Sequence, residues 1–260
     1  MTERVDFSHA ASAYDRRHGA VISDQAAGQL AAAAGLAPGS QVLDLAAGTG
    51  RVAIPLATRG CRVVAFDPAR PMLDELSKKA PSLDIPSVIG VGAQLPFASA
   101  TFDAVVIARL LYLVPDWQAL LVEVRRVLVP GGRLLHEWSN GESNEPWVQI
   151  REKIRSMFEA EGVTNPFHPG VRTEEEAELF LGAHGLARII EVRLGPGHPS
   201  SVAVFLQRLA GGECSYTWAV PKAIAARCVA EVQAWAAARF DLTREVPMPR
   251  EIVWRIYQRA

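Results

Sequence analysis

With 260 residues, 27 basic against 28 acidic side chains and a net charge of −1, the chain carries no global field that would draw it to nucleic acid or an anionic membrane. Apolar residues make up 49 %, yet no unbroken apolar run approaches the roughly 20 residues of a membrane-spanning helix. Three widely spaced cysteines, Cys61, Cys214 and Cys228, form no Cys-x-x-Cys pair or metal-like cluster, and with no secretory leader at the amino terminus they point to a reducing cytoplasm.

In chain order, residues 1–40 read as a leading helical segment closed by Pro38-Gly39. From Gln41 onward, short β-rich runs alternate with helical stretches, the pattern of parallel strands joined by crossover helices. Strand one covers Gln41 to Leu45, a helix Arg51 to Arg59, strand two Arg62 to Phe66, and a helix Pro71 to Lys79. Ser87 to Gly90 is a weak third strand, whereas Phe102 to Ala108 is apolar enough to lie in a sheet covered on both faces. Leu120 to Leu128 reads as helix, and Pro130-Gly131-Gly132 ends it and opens strand five, Arg133 to Trp138.

Pro146 to Glu161 has the pattern of an inserted helix. Thr173-Glu174-Glu175-Glu176 is a capping box that starts a helix running to about His184, where Gly185 stops it. Leu186 to Leu194 and Glu251 to Tyr257 give strands six and seven, with a short helix near Ser201 to Leu209 and a long one from Pro221 to Phe240 between them. Ile224, Cys228, Val232 and Trp235 recur at helical spacing along that long helix and give it one apolar face. The resulting expectation is an α/β, Rossmann-like fold: a seven-stranded, mostly parallel sheet with helices on both faces and a helical lid.

Val42 to Ala53 describes a buried strand running into a glycine turn and a helix, the geometry that holds a nucleotide-like cofactor. Gly48-Thr49-Gly50-Arg51-Val52-Ala53 fits the dinucleotide fingerprint, and Asp67 lies where an acid would bind the ribose of a nicotinamide cofactor. On these residues alone an NAD-dependent oxidoreductase remains open. Asp44 favours a cofactor without phosphates, because an acid just before the turn accepts hydrogen bonds from cationic or amide groups and repels a pyrophosphate.

The order of features resembles the class I S-adenosylmethionine (SAM) dependent methyltransferases, particularly the group acting on small molecules. Asp44 to Gly50 resembles that family's glycine loop, Phe66-Asp67-Pro68 with Met72-Leu73 its second-strand acid segment, Ala93 to Phe97 with Phe102-Asp103 its adenine-side loop and fourth strand, and Arg126 to Arg133 its turn into strand five. The resemblance spans about residues 40 to 138. It implies that SAM packs against the backbone at Ala46, Gly48, Thr49 and Gly50, that Asp67 takes both ribose hydroxyls, and that Met72 lies on an adenine face with Ala93 and Gln94 at the adenine edge. Arg109 and Leu110 would line the floor between cofactor and acceptor, and Tyr14, in a segment resembling the family's leading helix, would reach the methionine carboxylate. Two positions depart from the pattern. Val91-Gly92 stands where Asp-Ala is common, leaving the backbone or Gln94 to meet the adenine edge, and Ala46 replaces the first glycine, a change that a negative φ accommodates.

For acceptor chemistry, His136 and Glu137 near the carboxyl end of strand five and His18 and His168 in segments that could fold over a pocket are weak catalytic candidates. Strand alternation puts His136 and Trp138 on one face and Glu137 on the other. The plainer reading of these three is a packed Trp beside structural polar groups, and of Met72 a core residue. The cysteines read as small apolar residues, and the pairs Arg125-Arg126 and Lys78-Lys79 as solvated helix faces. No metal site is expected. The domain expectation is a helical cap over 1–40, a SAM-binding core over 41–139, and the remaining strands with helical inserts over 140–260, all in one structural domain. The function expected is methyl transfer from SAM to a small-molecule acceptor by a monomer or homodimer, with a non-catalytic SAM-binding protein as a further alternative. Neither an Asn/Asp-Pro-Pro-Tyr/Phe segment after strand four nor a Pro-Cys nucleophile is present, which argues against DNA methylation.

Overall fold

The computed structural model describes residues 21–92, 94–138, 146–163, 169–195, 199–218, 220–247 and 252–260. Tyr14, His18, Ala93 and His168 lie outside them. The chain divides into two compact units, one drawn from Asp6–Trp138, Gly170–Leu194 and Val253–Ala260, the other including Ser139–Pro169 and Gly195–Ile252.

The first unit holds helix α1 (Asp24–Ala33), β1 (Gln41–Leu45), α2 (Ala53–Thr58), β2 (Arg62–Asp67), α3 (Arg70–Lys79), β3 (Ser87–Ile89) and β4 (Phe102–Ala108). α4 (Trp117–Val127), β5 (Leu128–Trp138), α6 (Glu174–Ala183), β6 (Leu186–Leu194) and β9 (Ile252–Arg259) complete it. Its seven strands stand in the order β3-β2-β1-β4-β5-β9-β6. β1, β2, β3, β4 and β5 pair in parallel, and β9 runs antiparallel to β5. The sequence order of the strands reverses between β1 and β4, which opens a crevice at their carboxyl ends.

Alternation along the strands builds two buried faces, as the apolar sequence of β1 and β4 demands. Leu43, Leu45, Val105, Ile107 and Leu134 share one face and pack with Leu120, Leu121 and Val124 of α4 and Ala177 and Leu181 of α6. Val42, Ala104, Val106 and Leu135 are buried on the other. Each such side chain contributes about 1.5–3 kcal/mol by leaving water. Asp44 and Glu137 fall on this second face, so the same alternation that fills the core sets two carboxylates inside it.

Several element limits differ from the sequence reading for local reasons. α2 begins at Ala53, not Arg51, because the glycine turn continues through Val52, which caps the helix without a side-chain bond. α4 begins at Trp117, one turn earlier than expected, with Trp117 buried. β5 begins at Leu128, so Pro130-Gly131-Gly132 lies inside the strand, where the pairing with β4 slips from Phe102↔Leu128 to Ala104↔Arg133. The capping box of α6 forms, with Thr173 Oγ1 accepting the Glu176 N–H at 3.2 Å, and Gly185 takes a φ of 73° just beyond the helix.

The second unit has its own core. α5 (Pro146–Ala160), α7 (Val202–Ala210) and α8 (Lys222–Ala237) bury Trp147, Ile150, Ile154, Phe158, Phe205 and Val232 against one another. Cys228 belongs to this cluster as a small apolar residue, its thiol pKa raised by burial. β7 (Pro199–Ser201) and β8 (Glu245–Pro247), a pair absent from the sequence reading, form an antiparallel ribbon, and the Ser201 hydroxyl caps α7. Among the described residues, no helix is long and apolar enough to cross a membrane.

One backbone approach closes the carboxyl edge of β4. The N–H groups of Gly170 and Val171 donate to the carbonyls of Tyr112 and Leu111 at 3.0 and 3.2 Å. A Cβ on Gly170 would lie 1.9 Å from the Leu111 oxygen and 2.7 Å from the Val114 oxygen. Gly170→Ala should therefore lower stability by about 1–3 kcal/mol, measured as the shift in a urea unfolding curve.

Candidate functional site

The site is built where β1 and β2 end. Beyond Leu45 the chain turns back at once, and the N–H groups of Ala46 and Ala47 both donate to the Phe66 carbonyl of β2, at 2.8 and 3.1 Å. Gly48 and Gly50 take φ values of 54° and 85°. A Cβ on Gly50 would strike Leu76 and Ile54 within 3 Å, whereas one on Gly48 would meet nothing within 4 Å among the described residues. The loop is thus packed against α2 and α3 from below and, among the described residues, open above Gly48. Ala46 has a φ of 62°, so the negative φ expected at this position is not found, and a Cβ-bearing residue occupies the left-handed region.

Asp67, the last residue of β2, braces this loop. Its Oδ2 accepts the Gly48 N–H at 2.9 Å and its Oδ1 accepts the Ala69 N–H at 2.8 Å. Burial pushes its pKa up, and the Ala69 and Gly48 hydrogen bonds pull it back by favouring the ionised form. Each carboxylate oxygen keeps acceptor capacity beyond the bond it already makes.

Asp44 is 2 % exposed, and its Oδ2 has no hydrogen-bond partner among the described residues. Its pKa is raised from 3.8 to about 7, chiefly because burial strips the carboxylate of water. The Ala53 N–H opposes that rise, Asp67 adds to it, Arg51 opposes it, and Glu137 adds to it. A buried acceptor of this kind calls for a donor from outside the chain.

Glu137 lies on the same face as Asp44, at the end of β5 beside Ala108 of β4. Its side chain is fully buried, with Arg51 on Oε2 and the Nε of Arg109 on Oε1 at 3.1 Å. Burial alone would raise its pKa, but the two guanidinium groups outweigh it and hold the carboxyl below its ordinary value. An ionised carboxylate so engaged is a poor proton acceptor, so the geometry gives this catalytic candidate a structural charge instead. Arg109, just past β4, has a φ of 56°, a second strained backbone at this edge.

His136 faces the other way, as alternation required, with its ring 5.6 Å from Trp138. Burial drives its pKa down to about 4, so the imidazole is neutral near pH 7; neighbouring Glu137 opposes that fall and Arg255, directly across on β9, reinforces it. Met72 is 2 % exposed at the start of α3, while Pro68 and Gln94 lie at the surface, Leu110 is half-buried and Thr49 is buried.

The loop at 94–97 has a support that the sequence reading missed. Arg126 was expected on a solvated face, but its Nη1 and Nη2 donate to the carbonyls of Phe97 and Leu95 at 2.8 and 3.0 Å while its fork pairs with Glu123 at 2.8 Å. Glu123 in turn accepts the Leu95 N–H at 2.9 Å. The i, i+3 spacing of Glu123 and Arg126 was the available signal. The departure at Gly92 also has a cause: a Cβ there would lie 2.4 Å from Leu120 Cδ1, so glycine lets α4 approach.

Residues 43–136 match the family described as "Methyltransferase domain". A demethylmenaquinone methyltransferase of Corynebacterium glutamicum is 46 % identical over 99 residues, 38 % of this chain and 41 % of the relative. The chain thus spans about two-fifths of the length of that curated relative. The YcgJ protein of Bacillus subtilis superposes with a TM-score of 0.63 at 17 % identity, covering 91 % of this chain and 99 % of that one. A Haemonchus contortus phosphoethanolamine N-methyltransferase, solved with phosphomonomethylethanolamine and S-adenosylhomocysteine, gives 0.57 at 14 % identity, covering 97 % and 57 %. At these identities the solved structures establish the Rossmann-like fold.

Two outcomes follow from the loop. Ala46→Gly removes the left-handed strain at the cost of chain entropy, and should raise stability by about 0.5–1 kcal/mol in thermal unfolding. Between pH 3.8 and about 7 the folded protein keeps a proton on Asp44 that the unfolded chain has lost, so this group's contribution to stability is present at low pH and lost as pH rises through that window. Asp44→Asn cannot ionise. Its stability relative to the parent should climb from about pH 4 to 7 by on the order of a few kcal/mol and then level off, read from urea unfolding across pH.

Proposed function

We propose that this protein uses SAM to methylate a small-molecule acceptor by in-line displacement. The observation that carries the reading is the pair of buried acids flanking the open glycine turn: Asp67 with both oxygens oriented by backbone N–H groups, and Asp44 with an oxygen that lacks a partner among the described residues. Two acidic groups facing one cradle suit a ligand with a diol and a cationic amine, and repel a pyrophosphate. The S-adenosylhomocysteine in the Haemonchus structure and the substrate in the Corynebacterium relative's name support the cofactor and the small-molecule class.

SAM, when bound, supplies a methyl group on a sulfonium whose departure leaves a neutral thioether. Asp67 accepts the two vicinal ribose hydroxyls, each such bond to a carboxylate being worth about 1.5–3 kcal/mol. Asp44 accepts from the ammonium of the methionine portion, and Gly48 lets the ligand approach the backbone closely. Met72, Ala93 and Gln94 serve the adenine, Tyr14 the carboxylate, and Arg109 and Leu110 the floor on which the acceptor is aligned. Alignment of this kind can supply roughly 7–11 kcal/mol of the barrier, so the chain needs no covalent residue. Glu137, engaged by two arginines, is assigned no proton transfer.

Isothermal titration calorimetry with SAM, S-adenosylhomocysteine and NAD tests the reading. Binding of the first two and none of NAD is expected; NAD binding without SAM binding would overturn it. Asp67→Ala should weaken SAM at least tenfold, about 1.4 kcal/mol. SAM binding without S-adenosylhomocysteine release across a broad panel of small-molecule acceptors would favour a non-catalytic binding protein.

A further inference from the structure

The buried cluster beneath the glycine turn contains a carboxylate to which the methyl transfer itself gives no task. Glu137 is anchored in β5, its side chain is fully buried, and each of its oxygens meets an arginine from a different part of the site. Arg51 directly follows Gly50 at the exit of the cofactor loop, and its own carbonyl accepts the Ile22 N–H at 3.0 Å. Arg109 follows β4 with a left-handed φ of 56°. Removing one partner from a buried pair of this kind leaves an uncompensated charge, so the three groups form a unit with one preferred arrangement.

We propose that Glu137 is a positioning residue for cofactor binding: from β5 it holds Arg51 and Arg109 together, and through Arg51 it sets both the path of loop 46–51 and the charge that Asp44 presents to the ligand. The inference rests on the SAM reading for its functional meaning. The charged groups bearing on Asp44 are Asp67 from the end of β2, Arg51 from the loop and Glu137 from β5. Burial does most to raise the Asp44 pKa; on top of it Arg51 favours the carboxylate and Glu137 disfavours it, so the pair adjusts the charge that burial sets. A ligand ammonium would pair with the Asp44 carboxylate as its proton passes to solvent, and the clamp would keep the loop in place while Asp44 is still protonated.

The test follows the Asp44 carboxyl resonance by ¹³C NMR, assigned against Asp44→Asn, in the ligand-free protein. Glu137→Gln should lower the Asp44 midpoint by about one unit and Arg51→Gln should raise it by a similar amount. Amide exchange at residues 46–51 should quicken in both variants. In calorimetry, SAM affinity of the parent should grow as pH rises through about 7, the Glu137→Gln profile should reach its plateau at lower pH, and 5′-methylthioadenosine, which lacks the ammonium, should show no such dependence. If Glu137→Gln does not fold, the upward shift in Arg51→Gln carries the test. An Asp44 midpoint unmoved by either variant, or moved the same way by both, overturns the proposal. Absence of SAM binding by the parent would instead defeat the cofactor reading, while the NMR midpoints would still report whether Glu137 governs Asp44.

Discussion

Two backbone N–H groups, those of Gly48 and Ala69, converge on the carboxylate of Asp67, and the site depends on that convergence. The bonds join the first glycine turn to the start of the segment after β2, so that loops from neighbouring parallel strands become one wall. Without an acceptor there, two N–H groups would be left unmet beside a buried strand end, a loss of roughly 1–3 kcal/mol each. The same oxygens are the ones that the proposed reading offers to a ligand. On that reading structure and recognition share a single side chain, whose orientation the two backbone N–H groups already set.

Around this brace the protein accumulates charge that it does not fully compensate within the described residues. Asp44, Asp67 and Glu137 are all buried, and the alternation of β1 and β5 puts Asp44 and Glu137 on one face of the sheet. Glu137 is matched by two arginines, Asp67 by backbone N–H groups, and Asp44 least of all, which is why its pKa climbs to about 7. Left-handed backbone at Ala46 and Arg109 marks the same edge. Strain and desolvated charge both lower the stability of the free protein, and both are concentrated where a cationic ligand would relieve the charge.

Much of this was legible in the chain. The limits of β1, β4 and β6 follow from apolar runs bounded by turns, and both acids could be placed at strand ends by their distance from the glycines. The pairing of β9 antiparallel to β5, the register slip through Pro130-Gly131-Gly132 and the β7–β8 ribbon lacked such signals, because each depends on which strand becomes a neighbour. Arg126 reads as an exposed helix residue until the Phe97 and Leu95 carbonyls are brought to it from about thirty residues away. The conformation of Ala46 was equally hidden, since an alanine carries no mark of the φ that its neighbours impose.

The sequence by itself determined the class of fold and the residue types at the carboxyl edge of the sheet, because strand period, glycine spacing and the position of an acid relative to them are local properties of the chain. Only the tertiary structure decided what each acid does. Whether a carboxylate is an open acceptor, a brace or a buried counter-charge depends on the groups that packing brings within about 3 Å of it. For Glu137 those groups are arginines 86 and 28 residues away.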